Sequence, residues 1–190
     1  MKRSLQQGGF VRLSFPTVSA CFLMFISTST LARADQVDNP RYQAWLKFAV
    51  GSSETLSGEV ETTVNGAVVK TPIEFACKLV EKTDDHVKTE TVSTMIVMGH
   101  SQTSPANTEI LPAKVEKKDV TLSGTDKVKT AGKTFDCSVY EVAVQENENP
   151  QVMDKAKIHL CNDIPGGLVK LESEIPQITL KVLLKSFEIK

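Results

Sequence analysis

The sequence lacks the patterns by which many enzymes are recognised. It has no Gly-x-Ser-x-Gly elbow, no His-Glu-x-x-His helix, no glycine-rich phosphate loop and no Cys-x-x-Cys pair. Its three histidines stand far apart in the chain, so no cysteine has an evident base beside it in the sequence. We therefore predict a protein that is not an enzyme, with no catalytic residues and no cofactor. An enzyme of unrecognised type is the alternative.

Patterns for binding metals are also scarce. His159 and Cys161 are two positions apart and would share one face of a strand, but a zinc site needs further ligands. Only His86 or His100 could supply them, and neither is near in the sequence. The acidic residues do not follow the spacing of a calcium-binding loop. The sequence therefore predicts no metal site.

The first 34 residues have the composition of a signal peptide. Basic residues precede an apolar run that is densest over 21–26, and small residues suited to a signal peptidase follow at 32–34. We expect cleavage before Asp35 and export to the periplasm or the exterior. An uncleaved membrane anchor is one alternative, although the run is shorter than the ~20 residues that a span needs. Lipidation at Cys21 is another.

Removal of residues 1–34 leaves 156 residues, enough for a single exported domain with a sizeable core. That domain has 18 basic and 23 acidic side chains, a net charge of −5. A mildly acidic surface does not favour a nucleic-acid partner, which usually requires a basic face. We also expect no transmembrane segment in the mature chain.

One segment, at about 40–50, has the pattern of a helix. Asn39 is a good N-cap, Pro40 suits the first helical position, and Gly51 is placed to end the helix. Trp45, the only tryptophan in the sequence, lies within this segment. We expect its indole to pack against one side of a sheet, with stacking on a ligand as the alternative.

From about 53 to 190 the chain reads as strands joined by turns. Four turns set sensible side chains opposite each other across hairpins. The predicted pairs are Glu61 with Lys70 across Asn65-Gly66, Glu81 with Lys88 across Asp84-Asp85, Lys127 with Asp136 across Ala131-Gly132, and Leu160 with Leu171 across Pro165-Gly166. Residues 99–109 read as a polar loop at the rim, and the last strand changes its inward parity after Leu184, which predicts a bulge.

The predicted fold is therefore mainly β, a curved antiparallel sheet or half-barrel of about eight or nine strands with one N-terminal helix. A sheet of that size must curl or close to bury one face. Apolar residues lie on both faces of some strands, which fits a curved sheet that is covered by the helix or lines a cavity.

A hairpin centred on Asn149 sets Val142 opposite Ala156, Tyr140 opposite Ile158, and Cys137 opposite Cys161. The last pair predicts a disulfide bond, which would require an oxidising compartment. Cys77 is then the odd cysteine of the mature chain. We expect a buried, inert thiol there, with a competing disulfide or a reactive thiol as alternatives.

The segments 132–141, 157–161 and 163–170 carry a Cys-Ser-Val-Tyr strand and a Pro-Gly-Gly turn. This pattern resembles a group of uncharacterised secreted bacterial proteins. The resemblance implies a location in the cell envelope or outside the cell, and no activity comes with it. At the level of the fold, the curved sheet with a helix resembles the half-barrel of lipoprotein carriers, which hold acyl chains in an apolar concavity.

Two functions are consistent with these patterns. The first is binding of a lipid or other apolar small molecule in a concave sheet, with a lining of Trp45, Phe75, Tyr140, Leu180 and Val182. The second is a structural or protein-interaction module of the cell envelope, whose sheet is filled by its own side chains. An exposed apolar patch or an unpaired edge strand would favour the second function.

Overall fold

The computed structural model describes residues 35–64, 66–145, 153–175 and 178–190. The predicted signal peptide at 1–34 and the polar turn centred on Asn149 lie outside these residues. Within them the protein is mostly β, with one α-helix, as the sequence predicts.

The helix, α1 (Pro40–Leu46), begins as predicted and ends four residues early. The Asn39 side chain accepts hydrogen bonds from the backbone N–H groups of Arg41 and Tyr42, which satisfies two donors of the first turn. After Leu46 the chain turns, and the N–H of Phe48 donates a hydrogen bond to the carbonyl of Trp45. The Phe48 side chain is buried.

Twelve strands are described. They are β1 (Gln36–Asp38), β2 (Ser53–Val64), β3 (Ala67–Lys82), β4 (His86–Val97), β5 (His100–Thr103), β6 (Asn107–Pro112), β7 (Lys114–Glu116), β8 (Val120–Thr130), β9 (Lys133–Gln145), β10 (Met153–Leu160), β11 (Leu168–Ile175) and β12 (Ile178–Glu188). Ten of them form one antiparallel sheet in the order β5-β4-β3-β2-β12-β11-β10-β9-β8, with β6 also on β4. β1 and β7 pair separately.

The large sheet curls around α1. The helix contacts both β4 and β10, which are five places apart in the sheet. In a flat sheet those strands would lie about 24 Å apart, at about 4.8 Å for each strand, which is too far for one helix to reach both. We call the face that α1 covers the helix-side face; it carries Leu56, Phe75 and Val182.

Three of the four predicted hairpin registers are confirmed. Glu61 pairs with Lys70, Glu81 with Lys88, and Lys127 with Asp136. Two of the pairs predicted for the hairpin between β9 and β10 are also confirmed, Val142 with Ala156 and Tyr140 with Ile158. The predicted irregularity in the last strand is a register shift between Leu184 and Ser186.

The fourth register is wrong. Pro165 and Gly166 do occupy the centre of a turn, closed by a hydrogen bond from the Gly167 N–H to the Ile164 carbonyl. The connection is longer than two residues, however, because the Cys161 N–H bonds to the Gly167 carbonyl. Leu160 therefore pairs with Leu168, and the partner of Leu171 is Ile158.

The prediction of a loop at 99–109 is also wrong. Residues 100–103 form β5, which continues the hairpin from β4, and Asn107–Pro112 form β6, which pairs with the first half of β4. Two short strands thus pair along the same side of the long strand β4, and Ser104-Pro105 lies between them. As a result, β6 places Glu109 on the helix-side face.

The predicted disulfide between Cys137 and Cys161 is absent, and all three described cysteines are free thiols. The ladder between β9 and β10 ends at Ser138 and Leu160, so Cys161 lies just beyond the paired strand. The Cys137 thiol donates instead to the Phe135 carbonyl. Both thiols are buried in an apolar cluster, so the argument for an oxidising compartment loses this support.

Candidate functional site

The five residues predicted to line a ligand cavity do not form one site. Phe75, Leu180 and Val182 belong to the main core cluster on the helix-side face, and Tyr140 packs against that cluster while staying half-buried. Trp45 lies in a separate cluster beneath α1, where its side chain is completely buried.

The main cluster is filled by its own side chains. Its members are Leu56, Val60, Ile73, Phe75, Val142, Ala156, Ile158, Leu160, Leu168, Leu171, Leu180 and Val182. None of them is more than 8% exposed, so these side chains shield one another from solvent. The half-buried residues that pack against the cluster are Met95, Val120, Tyr140 and Ile178.

A buried group of polar residues, which sequence reasoning missed, lies beneath α1. We call it the α1 cluster; it consists of Arg41, Glu54, Cys77, Thr89, Thr91 and Glu109. Strand register brings the five strand residues together, because Glu54 pairs with Cys77, Cys77 with Thr91, and Thr89 with Glu109. All five are buried, and Arg41 reaches them from the first turn of the helix.

One ion pair joins the helix to the sheet. Arg41 Nη2 lies 2.9 Å from Glu54 Oε1, and the Arg41 side chain is only 13% exposed. The other carboxylate oxygen of Glu54 accepts a hydrogen bond of 3.1 Å from the Leu168 N–H. Glu54 therefore ties α1, β2 and the start of β11 together.

Several buried polar atoms of this region have no hydrogen-bond partner among the described protein groups. They are Arg41 Nε, Trp45 Nε1, Thr89 Oγ1, Thr91 Oγ1 and Glu109 Oε1. Burial raises the pKa of Glu54 to about 7, although Arg41 and the Leu168 N–H oppose this shift. Burial likewise raises the pKa of Glu109 to about 7 and that of the Cys77 thiol to about 11.

The α1 cluster depends on the turn before β11. Gly166 and Gly167 both have positive φ, 69° and 74°. A Cβ atom on Gly166 would lie 2.5 Å from both Glu54 Oε1 and Trp45 Cζ2, and one on Gly167 would lie 2.7 Å from the Ala44 Cβ. The Pro-Gly-Gly segment is therefore glycine-rich because the helix packs directly on it.

Shifted pKa values often mark active sites, but the α1 cluster is closed. Its strand residues have almost no contact with solvent, and α1 is fixed at several points. The Tyr42 hydroxyl donates to the carbonyls of Thr83 and Asp84, and Lys82 Nζ donates to those of Leu46 and Phe48. A substrate could reach the carboxyl groups only if the helix moved away.

The opposite end of the sheet exposes apolar side chains. Of the ten large apolar residues that are exposed in the described part of the chain, five lie on two neighbouring hairpin tips. We call these the apolar tips: Val64, Val68 and Val69 of the β2–β3 hairpin, and Ile96 and Met98 of the β4–β5 hairpin. The other exposed ones are scattered over separate elements, as is normal for a protein surface.

Both tips extend past the last described pairs with their neighbouring strands. Toward the tips, the last described pair between β3 and β4 joins Ile73 to Met95. The last described pair between β2 and β12 joins Thr62 to Ile178. Val68 and Val69 are consecutive in β3, so their side chains leave opposite faces of the ribbon, and 59% and 49% of their surfaces are exposed.

Met98 occupies an unusual position within the tips. It has φ of 51°, in the left-handed region that Gly and Asn favour, and it is 95% exposed. Neither its backbone conformation nor its exposure suits methionine. A strained and solvent-exposed apolar residue is a reason to suspect a role at the surface.

His159 forms a second buried polar group, on the other face of the sheet. Its Nδ1 lies 3.3 Å from Asp126 of β8, and its Nε2 lies 3.8 Å from Glu172 of β11. Burial and Lys170 lower the pKa of this histidine, against the effect of the two carboxylates. Among the described residues, no three His, Cys, Asp or Glu side chains are grouped to hold a metal ion.

Comparison with known proteins adds little. No family model matches the chain, and no curated protein matches it. The crystal structure of a DUF1329 family protein from Desulfovibrio piger aligns with 81% of this chain and 94% of its own, at 11% identity and a TM-score of 0.28. A TM-score that low carries no argument about fold or function. No helix in the described residues is long and apolar enough to cross a membrane.

Proposed function

We propose that this protein is a non-enzymatic, exported interaction module that binds a protein partner of the cell envelope through its apolar tips. The observation that carries this proposal is the distribution of apolar surface: the residues of the main cluster are buried, whereas five apolar side chains are exposed at the tips of two neighbouring hairpins. Export is supported by the composition of residues 1–34.

A catalytic role is not favoured by the position of the titratable groups. The carboxyl groups with the most strongly raised pKa values are sealed beneath α1, and the buried His159 faces two carboxylates rather than a nucleophile. Enzymes require such groups to face a cleft that a substrate can enter.

Binding of a lipid or other apolar small molecule is the second candidate function. One observation favours it: Met95, Val120, Tyr140 and Ile178 are half-buried against the main cluster. An apolar molecule could lie on these residues without entering the filled core.

Photo-crosslinking in the native host tests both functions. A photoreactive residue at position 98 should give defined protein adducts, whereas the same residue at Ala131, the equivalent position of the β8–β9 turn, should give none. Equal adducts at both positions would contradict a specific surface at the tips. Mass spectrometry of the purified protein serves as the second arm, and a stoichiometric co-purified lipid would favour the second function instead.

A further inference from the structure

Two buried carboxyl groups share one cation beneath α1. Among the described residues, the groups that face them are the guanidinium of Arg41 from α1, the thiol of Cys77 from β3, the hydroxyls of Thr89 and Thr91 from β4, the indole of Trp45 and the Leu168 N–H. Arg41 is the only cation among these groups. If both Glu54 and Glu109 were ionised, the cluster would hold one uncompensated negative charge.

An uncompensated charge in such a buried place is so unfavourable that the group binds a proton instead. The hydrogen bonds distinguish the two carboxyl groups. Glu54 receives a donor on each oxygen, from Arg41 and from the Leu168 N–H, and these bonds favour its ionised form. Glu109 Oε1 receives no described donor.

We propose that Glu109 is a proton-binding site, which holds a proton at neutral pH while Glu54 is ionised, and that this proton stabilises the docking of α1 on the sheet. A protonated Glu109 can both donate and accept a hydrogen bond. Thr89 lies directly opposite it in the register, and the Thr89 hydroxyl has no other described partner. The proton thus removes the excess charge and supplies a donor to a buried hydroxyl.

The effect on stability has a definite sign. Burial raises the pKa of Glu109 to about 7, above its value in an unfolded chain. Between the unfolded pKa, about 4.3, and the folded pKa, the folded protein therefore holds more protons than the unfolded chain, and unfolding releases one. The stabilisation is present in mild acid and is lost as the pH rises through the folded pKa.

Denaturant unfolding between pH 5 and pH 7 tests the proposal. For one released proton, the unfolding equilibrium constant should rise by about tenfold for each pH unit. Glu109→Gln, which keeps the shape and supplies a permanent donor, should remove this rise. Glu90→Gln is the matched control, because Glu90 is exposed on neighbouring β4, and it should behave like the wild type.

Carbon-13 NMR of glutamate side chains in the folded wild type gives an independent readout. It should show a buried carboxyl group that titrates near pH 7 in the wild type and is missing from Glu109→Gln. Equal pH slopes in the wild type and Glu109→Gln would overturn the proposal. Assignment of the titrating signal to Glu54 would also overturn the proposal. So would a free energy of unfolding at pH 8 that changes with the sodium concentration and not with the pH.

Discussion

The two ends of this sheet reverse the usual distribution of polarity. At the α1 end, an arginine and two glutamates are buried, whereas at the tip end valines, an isoleucine and a methionine face solvent. Both ends belong to the same strands, β2, β3 and β4, with the same alternation of side chains. The two ends differ in what covers them. The helix α1 packs over one end, whereas none of the described residues packs over the other.

The strands alone therefore do not decide which side chains are buried. The α1 end depends on long-range contacts that must fit closely, and we expect substitutions there to destabilise the protein strongly. The tip end contributes little to the core, and we expect changes there to alter binding rather than folding.

The largest effect should come from Arg41→Met, which removes the one cation that pairs with Glu54 among the described residues. Loss of one partner from a buried ion pair typically costs about 3 to 5 kcal/mol of unfolding free energy. The cost should be greater at pH 8 than at pH 6, because Glu54 can bind a proton in acid. Chemical denaturation followed by fluorescence of Trp45 measures it at the helix itself.

Lys70→Met is the control for this change. Lys70 lies 2.5 Å from Glu61 near the tip end, but its side chain is 57% exposed. Exposed ion pairs contribute about 0 to 1 kcal/mol. Similar losses of unfolding free energy in the two variants would contradict a stronger dependence on buried contacts at the α1 end.

Gly166→Ala should have the next largest effect. The added methyl would clash with Glu54 and Trp45 and would also strain a backbone of positive φ, for a total of about 2 to 4 kcal/mol. Gly132→Ala has a similar φ of 72° but no atom within 4 Å of the new Cβ, so it should cost only about 1 to 2 kcal/mol. Thermal unfolding of both variants separates the clash from the strain; equal losses would contradict direct packing of α1 on the turn.

Met98→Asn should have a smaller effect of opposite sign. Asparagine tolerates the left-handed conformation, so the unfolding free energy should rise by about 1 kcal/mol. Ala131→Asn, with φ of 49° in the corresponding turn, should stabilise the protein similarly. If the tips bind a partner, Met98→Asn alone should weaken binding, as a titration with that partner would show; equal binding by both variants would break the link between Met98 and function.

The smallest effect on stability should come from Val68→Ser combined with Val69→Ser. Both side chains are about half exposed, and surface substitutions usually change stability by less than about 0.5 kcal/mol each. Urea unfolding measures the change. A loss above about 2 kcal/mol would mean that the tips belong to the core, and the contrast between the two ends would fail.

Local signals in the sequence were sufficient for much of the fold. Turn chemistry placed Glu61 opposite Lys70, and the N-cap Asn39 fixed the start of α1. The Pro165-Gly166 turn misled the register because the residues after it also close the loop, through the bond between Cys161 and Gly167. Turn residues reveal that the chain reverses, but tertiary contacts decide the length of the connection.

The α1 cluster could not be assembled from local patterns. Glu109 lies in a segment whose composition predicts a polar loop. Only the pairing of that segment with β4 places Glu109 on the helix-side face. Glu54 did leave a signal, since it has the same parity as Leu56 and Val60 on the buried face of β2. An acidic residue on an apolar stripe indicates a buried partner, but the sequence does not identify that partner as Arg41.

The hydrogen bond from the Leu168 N–H to Glu54 has a consequence for folding kinetics. The two residues are 114 positions apart, and the bond from the Lys190 N–H to Ser52 spans 138 positions. Closing such long loops is entropically slow, so β2 must wait for the last strands before its acidic residue is satisfied. Until then the early strands offer unpaired edges to other chains, and we expect folding to benefit from a chaperone that shields them.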